Sequence, residues 1–298
     1  MLSWTEAGAV KRPTTLQLRV QRRYPDRVRA GAPVPTRSLS REELLANLRW
    51  FTEGQRGPRT APCTALVLSG IGLLTHPGTR PVLQEARRLG MDHLVLHASG
   101  EDLEGFEADS WRGLIDVLVV PLQPDWGDRA LDRAALAVSR CQRAGIQVSV
   151  NTVLTASALE GLPSVAGIVG RLKPDTVALS FPFPREGQQP APPPPAALLP
   201  ILERAVTSIE RSGVSPRLKG LPACYLGALA DRLSPSANRW YADADHQLDR
   251  ALLFFPDVLA FYKADSCRFC ALDGACDGFF THWLRLPGFP PLEPVSVR

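Results

Sequence analysis

The 298-residue chain has no apolar run long enough to span a bilayer as a helix. Its longest, Ala65 to Leu68 resuming at Ile71 to Leu74, is broken by Ser69 and Gly70. The start, Met1-Leu-Ser-Trp-Thr-Glu-Ala-Gly-Ala-Val10, lacks the charged beginning and apolar centre of a secretory signal, so a reducing cytoplasm is the expectation. There is no Ser–His–Asp arrangement, no Walker loop and no Gly-x-Gly-x-x-Gly, and Gly70 with Gly72 alone does not make a phosphate cradle. The net charge of +4 is small and interspersed with acids, which falls short of a nucleic-acid footprint. No cysteine occurs before Cys63.

What is present describes a globular chain, 45% hydrophobic and 21% charged, able to bury one large core or a core plus a small appendage. One segment is unusually cationic: Arg19, Arg22, Arg23, Arg27, Arg29 and Arg37 crowd residues 19–37, with Asp26 the only acid. It reads either as a solvated loop or as an anion- or partner-binding patch.

From about residue 14 to 210 an apolar strand-like run alternates with an amphipathic helical stretch. Thr15 to Val20 alternates as a strand does, and Ser40 with Glu43 opens a helix running to Phe51 by a capping-box pattern. Strands are expected at Thr64–Leu68, His93–His97, Val117–Pro121, Gln147–Val153 and Thr176–Ser180. Helices are expected at Thr79–Leu89, Arg129–Ala144, Ala158–Leu172 and Ala196–Ser212. Near-continuous apolar strands separated by helices mean a helix-covered parallel sheet. Six such units predict an α/β fold, a partial (β/α)6 TIM-like barrel, over residues 1–215. The stretch 181–200, with Pro192-Pro-Pro-Pro195, reads as an extended loop at the carboxyl end of the last strand, the face where such barrels keep their sites. Residues 216–298 look too poor in strands to build a core alone and read as a small cysteine-rich appendage.

That appendage carries the most informative pattern, Cys267-Arg-Phe-Cys270-Ala-Leu-Asp-Gly-Ala-Cys276, with Cys224 upstream. Three thiols spaced Cys-x2-Cys-x5-Cys, completed by a fourth, can close around zinc or an iron–sulfur cluster, and soft thiolates do not suit magnesium or calcium. Spacing alone leaves zinc and [4Fe–4S] both open; a Cys267–Cys270 disulfide is the other reading. Cys63 and Cys141 read as buried spacers. His93 and His97 share a strand face, and His246 and His282 lie in the appendage, where they read as ordinary hydrogen-bonded histidines or as donors beside the metal site.

These residues resemble the radical SAM superfamily, in particular members with a cysteine-rich extension of the SPASM or twitch type. Leu66-Val-Leu-Ser-Gly-Ile-Gly-Leu-Leu74 is similar to the family's strand followed by Gly-Gly-Glu-Pro, and Ala86 to Leu103 to its next helix and strand. Ala144 to Leu154 is similar to its fifth strand, and Cys267 to Gly278 to its terminal Cys-x2-Cys-x5-Cys-x-Gly segment. The resemblance implies an auxiliary [4Fe–4S] cluster on Cys224, Cys267, Cys270 and Cys276, with zinc the alternative. It also implies that Ser69 and Gly70 stand where S-adenosylmethionine would be held and that Asn151 and Thr152 stand where its ribose would be bound, or simply end their strand.

The departures are specific. The family's Cys-x3-Cys-x2-Cys falls on Tyr24, Val28 and Gly31; its turn carboxylate and proline are absent; and the acid after the fourth strand is Gln123. Without three thiolates no open-site cluster forms there, so radical cleavage of S-adenosylmethionine is expected to be lost. The expectation is a non-catalytic iron–sulfur partner in peptide or natural-product modification, acting with an active radical SAM enzyme or a peptide substrate. The alternative is an enzyme that binds S-adenosylmethionine or another anion in the barrel mouth by a non-radical mechanism, with the arginine-rich loop as clamp and the proline-rich loop as lid.

Overall fold

The computed structural model describes residues 2–3, 9–10, 13–23, 36–53, 62–124, 127–182, 192–234, 239–254 and 261–296. In chain order the elements begin with β1 (Leu2–Ser3), β2 (Ala9–Val10), β3 (Thr15–Arg23), β4 (Thr36–Ser38), α1 (Arg41–Thr52), β5 (Ala65–Gly70) and α2 (Thr79–Arg88). Then come β6 (His93–His97), β7 (Val117–Pro121), α3 (Asp128–Ala144), β8 (Gln147–Val153), α4 (Leu162–Leu172), β9 (Thr176–Ser180) and α5 (Pro195–Arg211). The rest are β10 (Pro216–Lys219), β11 (Arg239–Ala242), β12 (Leu252–Phe254), β13 (Phe261–Tyr262), β14 (Phe279–Phe280) and α6 (Thr281–Leu284). The strand–helix alternation with parallel pairing is the expected partial barrel.

The chain forms two compact units. The first comprises Met1–Pro121, Leu136–Val148 and Ala237–Phe254; the second comprises Leu122–Ala135, Ser149–Ser236 and Phe255–Arg298. In the first, β7, β6, β5, β3 and β11 lie side by side and parallel, β12 runs antiparallel on β11, and β4 folds back antiparallel on the end of β3. Leu16, Leu18, Leu66, Leu68, Leu94 and Leu96 are 0% exposed, so one face of these strands is wholly covered. Each such side chain contributes about 1.5–3 kcal/mol on burial. The cover includes α1 and α2, whose apolar residues fall at helical spacing: Leu44, Leu48 and Phe51 on the first, Val82, Leu83 and Ala86 on the second. The capping box at α1 forms as predicted: the Glu43 N–H donates to Ser40 Oγ at 3.1 Å, and the Ser40 N–H donates to Glu43 Oε2 at 2.7 Å.

In the second unit β8, β9 and β10 are parallel, with α4 and α5 packed against each other. Helix α4 starts at Leu162, four residues later than its periodicity predicts. Residues 155–158 make a turn instead, closed by Ala158 N–H to Thr155 O at 3.1 Å. Pro163 has no N–H to donate and its ring would clash with the preceding turn, so the helix can begin only just before it. The region after 216 is richer in strands than expected: β10 pairs with β9, and β11 with β3. Both are four-residue strands that alternate buried and more exposed positions, too short and too polar for an apolar run to mark.

The end of β5 is constrained by its neighbour. A Cβ on Gly70, whose φ is +137°, would stand 2.8 Å from Gln21 N and 2.9 Å from Gln21 O, both backbone atoms, whereas one on Gly90 meets nothing within 4 Å. Gly70→Ala is therefore expected to destabilise the protein by clearly more than Gly90→Ala, whose cost is about 1–2 kcal/mol from the left-handed backbone alone. Urea unfolding of the two variants measures the difference.

Candidate metal centre and the strand-end residues

The second unit brings the four predicted thiols to one place. Cys224 lies in a single helical turn at 223–225 after β10, Cys267 in another at 265–269 after β13, Cys270 just past its end, and Cys276 shortly before β14. All four line one solvent-open cavity, together with Lys263, Asp273 and Gly278. None of the four is in a disulfide. Among the described residues no group of three or more His, Cys, Asp or Glu is gathered tightly enough to hold a single metal ion.

Backbone amides point at the sulfurs. Cys276 Sγ accepts from Ala223 N–H at 3.4 Å and Gly278 N–H at 3.3 Å; Cys270 Sγ accepts from Leu272 N–H at 3.4 Å and Val295 N–H at 3.3 Å. Burial pushes the Cys224 thiol up; the Glu293 amide opposes it, and the charges of Cys276 and Cys267 add to it. Burial likewise raises Cys267; the Ala264 backbone lowers it, Cys276 and Cys270 raise it, and the Lys263 ammonium lowers it. Four cysteine sulfurs lining one cavity, two of them met by backbone amides, are soft ligands of the kind that hold zinc or an iron–sulfur cluster.

The surrounding chain is built to hold these loops. Gly278, in the Cys-x-Gly step, has φ +84°, and a Cβ there would stand 2.2 Å from the Tyr262 carbonyl oxygen. Only glycine permits β13 and β14 to pair beside Cys276. Phe279 and Phe280 are 0% exposed, and Phe279 packs on Phe181, Tyr225 and Phe289 with ring centroids 5.5, 5.3 and 5.7 Å away. Trp283 Nε1–H donates to the Pro182 carbonyl at 3.1 Å, and the Tyr225 hydroxyl donates to the Pro290 carbonyl. Lys263 Nζ holds the loop between Cys270 and Cys276, donating to the Asp273 carboxylate and carbonyl, each at 2.7 Å. Sequence reasoning missed Lys263; its place four residues before Cys267 was the available signal.

The strand-end candidates are settled into local contacts. Ser69 Oγ accepts from Gln17 Nε2–H at 3.0 Å, next to Gly70. Thr152, 0% exposed, donates to the Leu122 carbonyl at 2.7 Å, and Asn151 Oδ1 accepts from Ser180 Oγ–H at 2.8 Å. Gln123 is buried, and in the amide orientation that suits its neighbours it donates to Val153 O at 3.2 Å and accepts from Val153 N–H at 2.7 Å. It thus serves as a clasp between loop and strand. Ser69 and Gly70 belong to the first unit, Asn151 and Thr152 to the second. His93 is exposed and 4.0 Å from Asp116; His246 Nδ1 is 3.0 Å from the Asp243 carboxylate; and His282 packs against Trp283. Tyr24, Val28, Gly31 and most of the arginine-rich loop lie outside the described residues, as does the stretch 183–191 of the proline-rich loop. No described helix is long and apolar enough to cross a membrane.

No protein-family model and no curated protein sequence matches this chain. Solved structures do. It is similar to Streptococcus suis SuiB bound to S-adenosylmethionine, with a TM-score of 0.57 and 12% identity over 92% of this chain and 77% of that one. A second structure of SuiB gives a TM-score of 0.56 and 10% identity over 93% and 67%. SuiB bound to the precursor peptide SuiA gives 0.54 and 11% over 78% and 58%. The chain has a fold similar to that of SuiB. At these identities the likeness reaches the fold and stops there.

Cys63 and Cys141 are buried at 3% and 0% exposure, and burial pushes the Cys141 thiol up to about 12. A thiol-counting reagent at pH 8 should therefore find four reactive cysteines in metal-free native protein and the remaining two only after denaturation. Six fast thiols, or fewer than four, would contradict the placement.

Proposed function

We propose that this chain is an iron–sulfur accessory protein with a radical SAM-like fold that has lost adenosyl-radical chemistry and acts beside a partner in peptide or natural-product modification. The observation that carries the reading is the single cavity lined by Cys224, Cys267, Cys270 and Cys276 with amide donors aimed at its sulfurs. These four residues would hold the group. The resemblance to members with a cysteine-rich extension favours a [4Fe–4S] cluster over zinc, though four thiolates accept either.

A cluster with four protein thiolates has every iron ligated, so it supplies electron transfer or structural support. The chain's own residues do the rest. Gly278 and Leu272 present N–H groups to the sulfurs, Lys263 places a cation beside Cys267, and the Phe279 ring cluster holds the loops. No cysteine precedes Cys63, so three thiolates are not available in the loop after β3 for a second, open-site cluster. S-adenosylmethionine is at most a bound ligand on this reading.

SuiB was solved both with S-adenosylmethionine and with its precursor peptide. That supports a peptide, or the enzyme acting on it, as the partner class. The location expected for such a protein is the reducing cytoplasm, where free thiolates persist.

Anaerobically purified protein should contain about four irons and four sulfides per chain with the broad visible absorption of an iron–sulfur centre. Cys270→Ala or Cys276→Ala should lose most of the iron while far-UV circular dichroism stays near that of the parent. One zinc and no iron would make the centre a structural knot. Parent-like iron in both variants would remove the ligand assignment. S-adenosylmethionine cleavage by the reconstituted chain alone would overturn the loss of radical chemistry.

A further inference from the structure

The thiol centre is walled on one side by a segment that belongs to no helix or strand. Beyond α6 the chain runs irregularly through Pro287, Pro290, Pro291 and Pro294. Each proline fixes its own φ and holds the residue before it extended, so the stretch 287–296 is stiff before it packs. Three contacts seat its first half. The Phe289 ring lies 5.7 Å from that of Phe279 and 6.3 Å from that of Phe181, and the Pro290 carbonyl accepts from the Tyr225 hydroxyl. Gly288, at φ +87°, lies so close to Pro194 that a Cβ there would stand 3.1 Å from the Pro194 Cβ.

The second half of the stretch reaches the sulfurs. Leu292, 6% exposed, and Glu293 form part of the cavity wall. Val295 N–H donates to Cys270 Sγ at 3.3 Å, and the Val295 carbonyl accepts from Ala271 N–H at 2.9 Å, so both backbone groups of this residue are tied to the ligand loop. Burial raises the Cys224 thiol, and the Glu293 backbone N–H is the foremost influence drawing it back down. Residues 293 and 295 are two apart, and alternate positions of an extended chain face the same way. Pro294 between them has no N–H to leave unpaired. The N–H groups of Leu272 and Gly278 come from two residues beyond Cys270 and Cys276, within the ligand loops themselves. Those of Glu293 and Val295 come from a separate segment and reach two different cysteines.

Resting on the assignment of the four cysteines as metal ligands, we propose that Glu293 and Val295 are positioning residues of the thiol centre, whose backbone N–H groups orient the Cys224 and Cys270 sulfurs and set how firmly the metal is held. A metal-bound sulfur keeps lone pairs and negative charge that an N–H still meets, so the same donors serve the loaded centre. In an iron–sulfur centre they also favour the reduced, more negative form and so raise the reduction potential, while Leu292 limits the access of water from that side. The role belongs to the backbone, so every side chain except that of proline leaves it intact.

The test compares proline with alanine at the same two positions in the full chain, purified anaerobically with the iron or zinc it carries. Glu293→Pro and Val295→Pro each remove one N–H, whereas Glu293→Ala and Val295→Ala remove the side chain and keep the donor. Release of the bound metal to excess chelator should be about tenfold faster in each proline variant than in its alanine partner, the scale on which losing a hydrogen-bond partner of a metal ligand weakens binding. The alanine variants should match the parent. Where the metal is iron, the proline variants should also show a lower reduction potential than the alanine ones. If a proline variant does not fold, a chain lacking residues 292–298 replaces it, with the same acceleration expected. Equal release from proline and alanine variants, an unshifted potential in iron-loaded proline variants, or parent-like release from the shortened chain would each overturn the proposal and leave the ligand assignment standing. A parent that carries neither iron nor zinc would overturn the ligand assignment, and this inference with it.

Discussion

Parallel strand pairing is the constraint on which the rest of this molecule depends. A parallel strand needs a long crossover to its neighbour, which the intervening helices supply, and the pairing then fixes side-chain level and face together. Leu16, Leu18 and Val20 fall on one side of β3 and are sealed at 0% exposure, while Gln17 and Arg19 fall on the other. Because β5 and β6 hold the same register, the residues ending each strand arrive at one edge side by side. Ser69 and His97, 28 positions apart in the chain, become neighbours for that reason.

The thiol centre depends on a different principle. Its loops are short helical turns and two-residue strands, with too little regular hydrogen bonding to set their own course. Rings and single obligatory contacts set it instead. Phe279 sits among Phe181, Tyr225 and Phe289, and Gly278 lets the chain pass against the Tyr262 carbonyl. The four sulfurs are then held by ring packing behind them and, at Cys270 and Cys276, by backbone amides.

Much of the fold was legible in the residues themselves. The runs at Ala65–Gly70 and Thr176–Ser180 are apolar because both faces are covered, and the capping box at Ser40 and Glu43 is a local hydrogen-bond exchange that needs nothing beyond four consecutive residues. The four cysteines were legible as a set, because thiol chemistry restricts what such spacing can do. β10 and β11 were not legible: four alternating residues carry no signal until a neighbouring strand provides hydrogen bonds. Lys263, the amides on Cys270 and Cys276, and the meeting of Arg19 with Ser69 and His97 were equally hidden. The sequence by itself determined the element types and the helix-covered parallel class, since these follow from periodicity within short windows. Only the tertiary structure decided which of them share a cavity and which share an edge, because register and ring packing act between residues far apart in the chain.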